Sequence, residues 1–194
     1  MGVVNFQAKD GSLFTLTVEK KADRPYREDL LNLTLGKGRE RKSSGALRRG
    51  RLAARGLSFV VKNIHGELVG SVRLWHVRFN KGQNGAQYGL LLGPLAVSKE
   101  CSGMGVGSVL MRHAIERAKK MGYGAIFLVG DCEFYQRFGF SNSLTKNLAM
   151  PGPYEKHRFQ ALELIPQYLA SCHGTLEPSG ELKRRGSFLH HKVA

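Results

Sequence analysis

The stretch from residue 87 to residue 129 constrains the fold more than any other part of the sequence. A β-rich apolar run from Gln87 to Val97 leads into a glycine-rich turn, and an amphipathic pattern follows from Val106 to Met121. The apolar residues of that pattern have the spacing of one helix face: Leu110, Met111, Ala114, Ile115 and Ala118. Ala125–Val129 then predicts a short buried strand. This order predicts a βαβ unit with two parallel strands joined by a right-handed crossover.

Other patterns predict strands and helices around this unit. Alternating apolar residues over 14–18 predict a strand, and Leu57–Val61 and Leu68–Val77 predict a hairpin. Pro25 and Gly36 are placed as the first-turn and stop residues of a helix. Further short elements are predicted with these bounds: a helix from Ser43 or Ser44 through Leu52, a helix capped by Asp131 through Phe138, a strand over Phe159–Ile165, and a turn or helix from Pro166.

The domain organisation follows from the chain length and from this mixture of elements. A chain of 194 residues fits one ordinary domain. We therefore predict a single domain over residues 1–172, of the α/β class with an α+β mixed sheet. The basic stretch 173–194 is predicted to be a loosely ordered tail.

Composition narrows the classes of function. The formal net charge is +15, which favours polyanionic partners. Residues 37–55 are rich in Arg and Lys, so a nucleic-acid-binding module remains an alternative. The segment contains no aromatic residue on which bases could stack, which argues against this alternative. The sequence has neither a long apolar run nor a metal-ligand spacing outside its tail. These features predict a cytoplasmic protein with reduced thiols, no membrane partner and no metal, either a monomer or a homodimer.

The segment from Leu95 to Ser108 is the part of the sequence that carries chemistry. It contains three alternate glycines, Gly103, Gly105 and Gly107, where a strand runs into a helix. The first amides of a helix have no internal acceptor, and glycines let an anion approach them closely. The spacing matches neither a Walker loop nor a dinucleotide-binding fingerprint. The turn predicts an oxyanion site, with tight packing of the helix on the sheet as the alternative.

Two ordered motifs resemble those of the GNAT acetyltransferases. Residues 102–107 fall on the pattern [QR]-x-x-G-x-[GA], and residues 130–140, G-D-C-E-F-Y-Q-R-F-G-F, resemble the tyrosine-bearing element of the same superfamily. Together with L-G-P-L-A-V at residues 92–97, they are similar to one bacterial branch, and the likeness is strongest over residues 89–140. The resemblance implies a central twisted mixed sheet that is splayed at a bulge and flanked by helices.

The resemblance also implies acetyl-CoA as co-substrate and a set of residues that bind it. The implied contacts are the backbone groups of the strand and of the turn: Leu95, Ala96, Val97, Ser102, Gly103, Met104, Gly105, Val106, Gly107 and Ser108. Two of these positions depart from the family pattern. Ser102 stands where Gln or Arg is usual, and Met104 stands where a basic residue is frequent.

For catalysis, the resemblance assigns roles to three residues. Tyr135 is the implied general acid, with a core aromatic as its alternative role, and the backbone amide of Val97 is the implied oxyanion donor. His76 is a candidate base, and water is the alternative. The acceptor is predicted to be a primary amine of a small molecule or polypeptide, an anionic one if residues 37–55 recruit it. A degenerate coenzyme A-binding protein without turnover remains a third hypothesis.

Overall fold

The computed structural model describes residues 2–41, 43–82 and 85–183. Within these ranges the strands and α-helices follow one another in this order: β1 (Val4–Gln7), β2 (Leu13–Val18), α1 (Arg24–Leu35), α2 (Ser43–Arg48), β3 (Ser58–Asn63), β4 (Leu68–Lys81), β5 (Ala86–Val97), α3 (Val106–Lys120), β6 (Ala125–Val129), α4 (Cys132–Gln136), β7 (Leu148–Ala149), β8 (Phe159–Glu163) and β9 (Cys172–Pro178).

The strands form one mixed sheet in the order β1-β2-β3-β4-β5-β6-β8. Neighbours along this path are antiparallel except for β5 and β6, which are parallel, as the βαβ pattern predicts. Strand β9 runs antiparallel to the second half of β4, beyond the end of β3. The predicted α/β class with a mixed sheet and flanking helices is therefore confirmed.

The sheet opens between β5 and β6 next to a bulge in β5. Val72 lies opposite Leu95, but Leu74 lies opposite Leu92, so Gly93 and Pro94 together face a single residue of β4. Gly93 has a φ of +130°, a conformation that glycine tolerates far better than other residues. Strand β6 pairs with β5 only at residues 90 and 91, so the two strands diverge before the bulge. The predicted splay of the sheet is confirmed.

The centre of the sheet is buried on both faces. Leu90 and Leu92 pack in the cluster that contains the apolar face of α3, whereas Leu91 between them packs in a second cluster with Trp75 and Phe127. Alternate residues of a strand point to opposite faces, so burial on both sides explains why β5 reads as a nearly continuous apolar run. None of the helices in the described ranges is long and apolar enough to cross a membrane.

The helix predicted through Phe138 ends at Gln136, and the strand predicted through Ile165 ends at Glu163. Two other predicted elements differ more from the structure. Helix α2 ends at Arg48 rather than at Leu52, and Gly50 follows it with a φ of +68°. The stretch after Cys172 is not a loosely ordered tail, because residues 172–178 form β9 and Leu176 is buried in the core. The remainder of the predicted tail, from residue 184, lies outside the described residues.

Candidate active site

A cavity of about 660 Å³ lies where β5 and β6 diverge, between the start of α3 and helix α4. It is lined by the bulge and end of β5, by the glycine-rich turn and by the segment that leads into α4. The sequence-predicted residues among its lining are Leu95, Ala96, Val97, Ser102, Gly103, Gly105, Val106, Gly107, Ser108 and Tyr135. The tertiary structure thus brings two motifs some thirty residues apart into one site.

The end of β5 presents backbone groups toward this cavity. The amide of Ser98 donates to the carbonyl of Val69 on the β4 side at 2.8 Å, and Val97 lies opposite Gly70. Backbone groups of successive residues in a strand point to opposite sides, so those of Val97 face away from β4, as do those of Leu95 two residues earlier. No strand in the described ranges pairs with that edge.

The first turn of α3 supplies a set of aligned amides. Gly105 precedes the helix with a φ of +86°, and its carbonyl accepts the amide of Val109 at 3.0 Å. The amides before Val109 have no acceptor inside the helix, and the helix dipole adds partial positive charge there. A Cβ at Gly107 would lie 3.5 Å from the Val97 side chain, so the strand end and the helix start are in close contact. This arrangement can bind an oxyanion.

Met104 takes no part in the cavity, contrary to the sequence-based expectation. Its side chain is partly buried against the main hydrophobic cluster, which is where an apolar side chain is most stable. Arg137 and Arg158 line the cavity instead, and the guanidinium of Arg137 lies 4.7 Å from the ring centre of Phe134. Sequence reasoning missed both arginines as site residues, although Arg137 lies two positions after Tyr135 in the motif. They place positive charge in the cavity that the glycine-rich turn also lines.

Tyr135 is held at the cavity by its own local structure. The side chain of Asp131 caps α4 by accepting the amide of Phe134 at 3.2 Å, which fixes the direction of this short helix. The Tyr135 ring packs edge-on against Phe134 and Phe140. It also lies so close to Gly130 that a Cβ at that position would be 2.2 Å from it. Burial raises the pKa of Tyr135 to about 12, so its hydroxyl remains protonated throughout the neutral range.

His76 does not reach this cavity. Its neighbour Trp75 lies in the cluster on one face of the sheet, whereas the His76 ring pairs with Tyr123, whose hydroxyl lies 2.7 Å from Nε2. Burial lowers the pKa of His76, which keeps the ring neutral. Tyr123 follows the C-terminal end of α3, whereas the cavity lies at the start of that helix. The position of His76 along β4 therefore keeps it away from the cavity, and the expectation of a base there is not met.

A second, smaller cavity of about 220 Å³ adjoins the first. Arg39, Arg48 and Pro94 border both of them. The wall of the smaller cavity also includes Trp75, whose indole nitrogen donates to the carbonyl of Gly93 at 2.7 Å. The bulge in β5 is therefore fastened to β4 at the point where the two cavities meet.

Comparison with known proteins matches this chain to relatives over most of its length. It is 30% identical over 148 residues to the uncharacterized N-acetyltransferase YjhQ of Escherichia coli (strain K12), which covers 75% of this chain and 80% of that protein. The crystal structure of the GNAT family N-acetyltransferase YhbS from Escherichia coli in complex with CoA superposes with a TM-score of 0.70 at 24% identity, covering 92% of both chains. A GNAT family acetyltransferase from Brucella melitensis in complex with acetyl-CoA gives a TM-score of 0.53 at 22% identity, covering 90% of this chain and 97% of that one.

The family itself is identified by a match across the region that carries the site. The profile of the acetyltransferase (GNAT) family matches residues 25–140, which include α1, the bulged strand, the glycine-rich turn and Tyr135. This span is more than half of the chain. The protein is a member of the GNAT acetyltransferase family.

Proposed function

We propose that this protein transfers the acetyl group of acetyl-CoA to a primary amine of a small molecule or polypeptide, by direct attack of the amine on the thioester. The observation that carries the proposal is a single cavity. The open backbone edge at Leu95 and Val97, the first turn of α3 and the ring of Tyr135 all line it. Backbone pairing, oxyanion binding and proton donation are thereby available in one place.

The cavity fits a long, polyanionic thioester. The free amides at the start of α3 suit a diphosphate, since they point along the helix axis and carry partial positive charge. Arg137 and Arg158 add two cations to the same cavity. The backbone edge at Leu95 and Val97 suits an amide-containing arm, which would pair with it as an extra strand does. Two solved relatives support this assignment, since one was crystallised with CoA and another with acetyl-CoA.

Bound acetyl-CoA supplies the thioester whose carbon the amine attacks. As the nitrogen–carbon bond forms and the carbon–sulfur bond breaks, charge develops first on the carbonyl oxygen and then on the sulfur. The Val97 amide is the candidate donor to the oxygen, because it faces the cavity and is not paired within the described sheet. A backbone donor of this kind needs no reorganisation during the reaction.

Tyr135 holds the proton that the departing sulfur needs. A thiol has an ordinary pKa of about 8.5, well below that of this phenol, so the hydroxyl stays protonated and donates a hydrogen bond to the charge that develops on the sulfur. It passes its proton to the sulfur as the attacking nitrogen releases one to water, and the phenolate regains a proton from that water. Asp131 is the only carboxylate lining the main cavity in the described residues, and it is engaged as the cap of α4. We therefore assign deprotonation of the attacking amine to water.

The test combines cofactor binding with turnover. Acetyl-CoA should raise the melting temperature, because a ligand that binds only the folded state stabilises it by mass action. A thiol-release assay with acetyl-CoA and a panel of primary amines should then show amine-dependent release of free coenzyme A. A melting temperature that does not respond to acetyl-CoA would refute the proposed cofactor. Binding without release on any amine or peptide would indicate a coenzyme A-binding protein without turnover.

A further inference from the structure

The smaller cavity has an excess of positive charge that the acetyl-CoA site does not account for. Its charged lining consists of one carboxylate, Glu28, and these cations: Arg39, Arg48, Arg49, Arg73 and Lys183. The Glu28 carboxylate is already paired with Arg27 at 2.6 Å and with Arg39. Glu19 is in turn shared by Arg27 and Arg73. Two carboxylates thus serve three arginines, and Arg49 and Lys183 add further positive charge to the wall, an arrangement that attracts an anionic ligand.

Arg73 is the cation of this set that packs on an aromatic ring. Its guanidinium lies 4.9 Å from the centre of the Trp75 ring, and Trp75 is itself anchored to the β5 bulge. Its ion pair with Glu19, at 3.2 Å, and its hydrogen bond to Ser58 both run through Nε. These contacts leave the two terminal nitrogens for a ligand. A guanidinium presented in this way suits a planar or tetrahedral oxyanion.

The electrostatics of Arg73 agree with this geometry. Burial, together with the nearby charges of Arg27 and Arg24, lowers the pKa of Arg73 to about 10, while Glu28 acts in the opposite direction. The side chain is still protonated at neutral pH, and its partner Glu19 is shared with Arg27, which leaves an imbalance of positive over negative charge around it. An added oxyanion would relieve this imbalance, and a cationic or neutral ligand would not.

The position and size of the cavity indicate which class of ligand it suits. At about 220 Å³ it is smaller than the pockets of roughly 300–1,000 Å³ that hold drug-sized ligands, so it suits a small metabolite. Because it shares Pro94, Arg39 and Arg48 with the main cavity, a molecule held there by one end can extend its other end toward the thioester site. We propose that the acceptor is a small primary amine that also carries a carboxylate or phosphate, and that Arg73 and its neighbours bind this oxyanion. This inference rests on the acetyltransferase function proposed above.

Matched pairs of amines test the proposal. O-phosphoethanolamine is compared with ethanolamine, and 3-aminopropanoate with its neutral amide 3-aminopropanamide, in both turnover and binding to the CoA-saturated protein. CoA saturation removes the main cavity as an anion site. The anionic member of each pair should have the higher kcat/KM and the tighter binding, by about tenfold to a hundredfold, since hydrogen bonds between charged groups are the strong ones. The phosphate and carboxylate pairs show which oxyanion is preferred.

Three variants assign the effect to the cavity. Arg73→Gln should lower kcat/KM for the anionic amines by about tenfold or more, and by a larger factor than for their neutral partners. Arg49→Gln, at an exposed residue of the same wall, should show a smaller loss in the same direction and guards against misfolding of the first variant. Arg55→Gln is the control matched to Arg49→Gln, since Arg55 is also exposed and lies in the same basic segment but lines neither cavity.

The outcomes separate this inference from the proposed function. Binding of the anionic amines that depends on Arg73, without any turnover, would support the anion site and contradict the acetyltransferase proposal. Turnover with equal kcat/KM for anionic and neutral partners would overturn the anion site and support the acetyltransferase. Acetylation of an acidic peptide or an aminoacyl-RNA, with no binding or turnover of small anionic amines, would also overturn it. So would equal effects of the Arg73 and Arg55 variants.

Discussion

At Gly130 the chain has no room for a side chain, because a Cβ there would lie 2.2 Å from the ring of Tyr135. The backbone conformation at Gly130 does not require glycine, since the φ of this residue is not positive. The requirement is instead steric, because the Tyr135 ring occupies the space where a side chain at this residue would lie. Two residues five positions apart therefore form one unit, in which the glycine positions the tyrosine.

Loss of the Tyr135 hydroxyl should slow the reaction without unfolding the protein. Tyr135→Phe keeps the ring and its contacts with Phe134 and Phe140, and removes the proton donor to the sulfur. We expect kcat to fall by about 10²–10⁴-fold with little change in acetyl-CoA affinity, as is typical for general acid catalysis. Steady-state turnover measures this loss, and the loss of kcat should be smaller with an acyl donor whose thiol is more acidic. A kcat near that of wild type would make Tyr135 a core aromatic.

Gly130 should act on turnover only through Tyr135. Gly130→Ala would displace the ring, so we expect kcat to fall by about tenfold or more. The double variant Gly130→Ala/Tyr135→Phe should be no slower than Tyr135→Phe alone, since residues that act as one unit are not additive. Kinetics of the two single variants and the double variant measure this. A further, multiplied loss in the double variant would show that Gly130 affects the site by another route.

The raised pKa of Tyr135 predicts the shape of the pH profile. A free phenol loses its proton near pH 10, whereas burial moves the pKa of Tyr135 to about 12 in the folded protein. The donor form is the protonated one, and a raised pKa extends its range upward. Hence kcat should show no loss from tyrosine ionisation up to about pH 10. A descending limb in wild type below pH 10 that is absent in Tyr135→Phe would contradict the raised value.

The start of α3 is the part of the candidate site whose position followed most directly from the sequence. The alternating glycines predicted a helix start that binds an oxyanion, and the helix does begin at Val106 after Gly105. Local features alone, helix periodicity and glycine at a turn, were sufficient here because both act within a few residues. Whether these amides hold a phosphate remains a prediction.

A pair of glycine variants at the two ends of α3 tests that prediction. Gly105 and Gly122 have similar positive φ values, +86° and +80°, and neither has a heavy atom within 4 Å of an added Cβ. Gly105→Val and Gly122→Val should both lower the melting temperature, because a valine in this conformation is strained by about 1–2 kcal/mol or more. Only Gly105→Val should lose the stabilisation by acetyl-CoA, measured by thermal shift. An equal acetyl-CoA shift in both variants would remove the amides of α3 from the cofactor site.

At the scale of the whole molecule, the C-terminal stretch that the sequence predicts to be a basic tail packs against distant parts of the chain. Strand β9 pairs with β4, and the chain beyond it returns to the segment after α2, where the amide of Leu52 donates to the carbonyl of Glu181 at 2.7 Å. Arg51 also donates to the carbonyl of Gly180 at 2.7 Å. Lys183 then lines the smaller cavity. The stretch therefore contributes to both the core and the proposed acceptor site.

Two leucines in this stretch test its role in stability. Leu176 is 1% exposed and Leu182 is 61% exposed. Leu176→Ala should lower the free energy of unfolding by about 2–5 kcal/mol, as a buried Leu→Ala substitution does, because it removes apolar contacts and leaves a cavity. Leu182→Ala is the control and should change it by less than about 0.5 kcal/mol. Denaturant unfolding of both variants measures the difference. Equal free energies of unfolding for the two variants would show that β9 does not contribute to the stability of the core.

The sequence by itself determined what depends on near neighbours along the chain. Periodicity placed α3, β5 and β6, the order of these elements implied a parallel pair, and two motifs identified the family. Only the tertiary structure decided which side chains meet. It placed His76 beside Tyr123, away from the cavity, and packed Met104 against the core. It also brought Arg73, from β4, beside residues of α1 and of the stretch after α2. These contacts join residues far apart in sequence, and they depend on register, strand facing and packing, which no local pattern encodes.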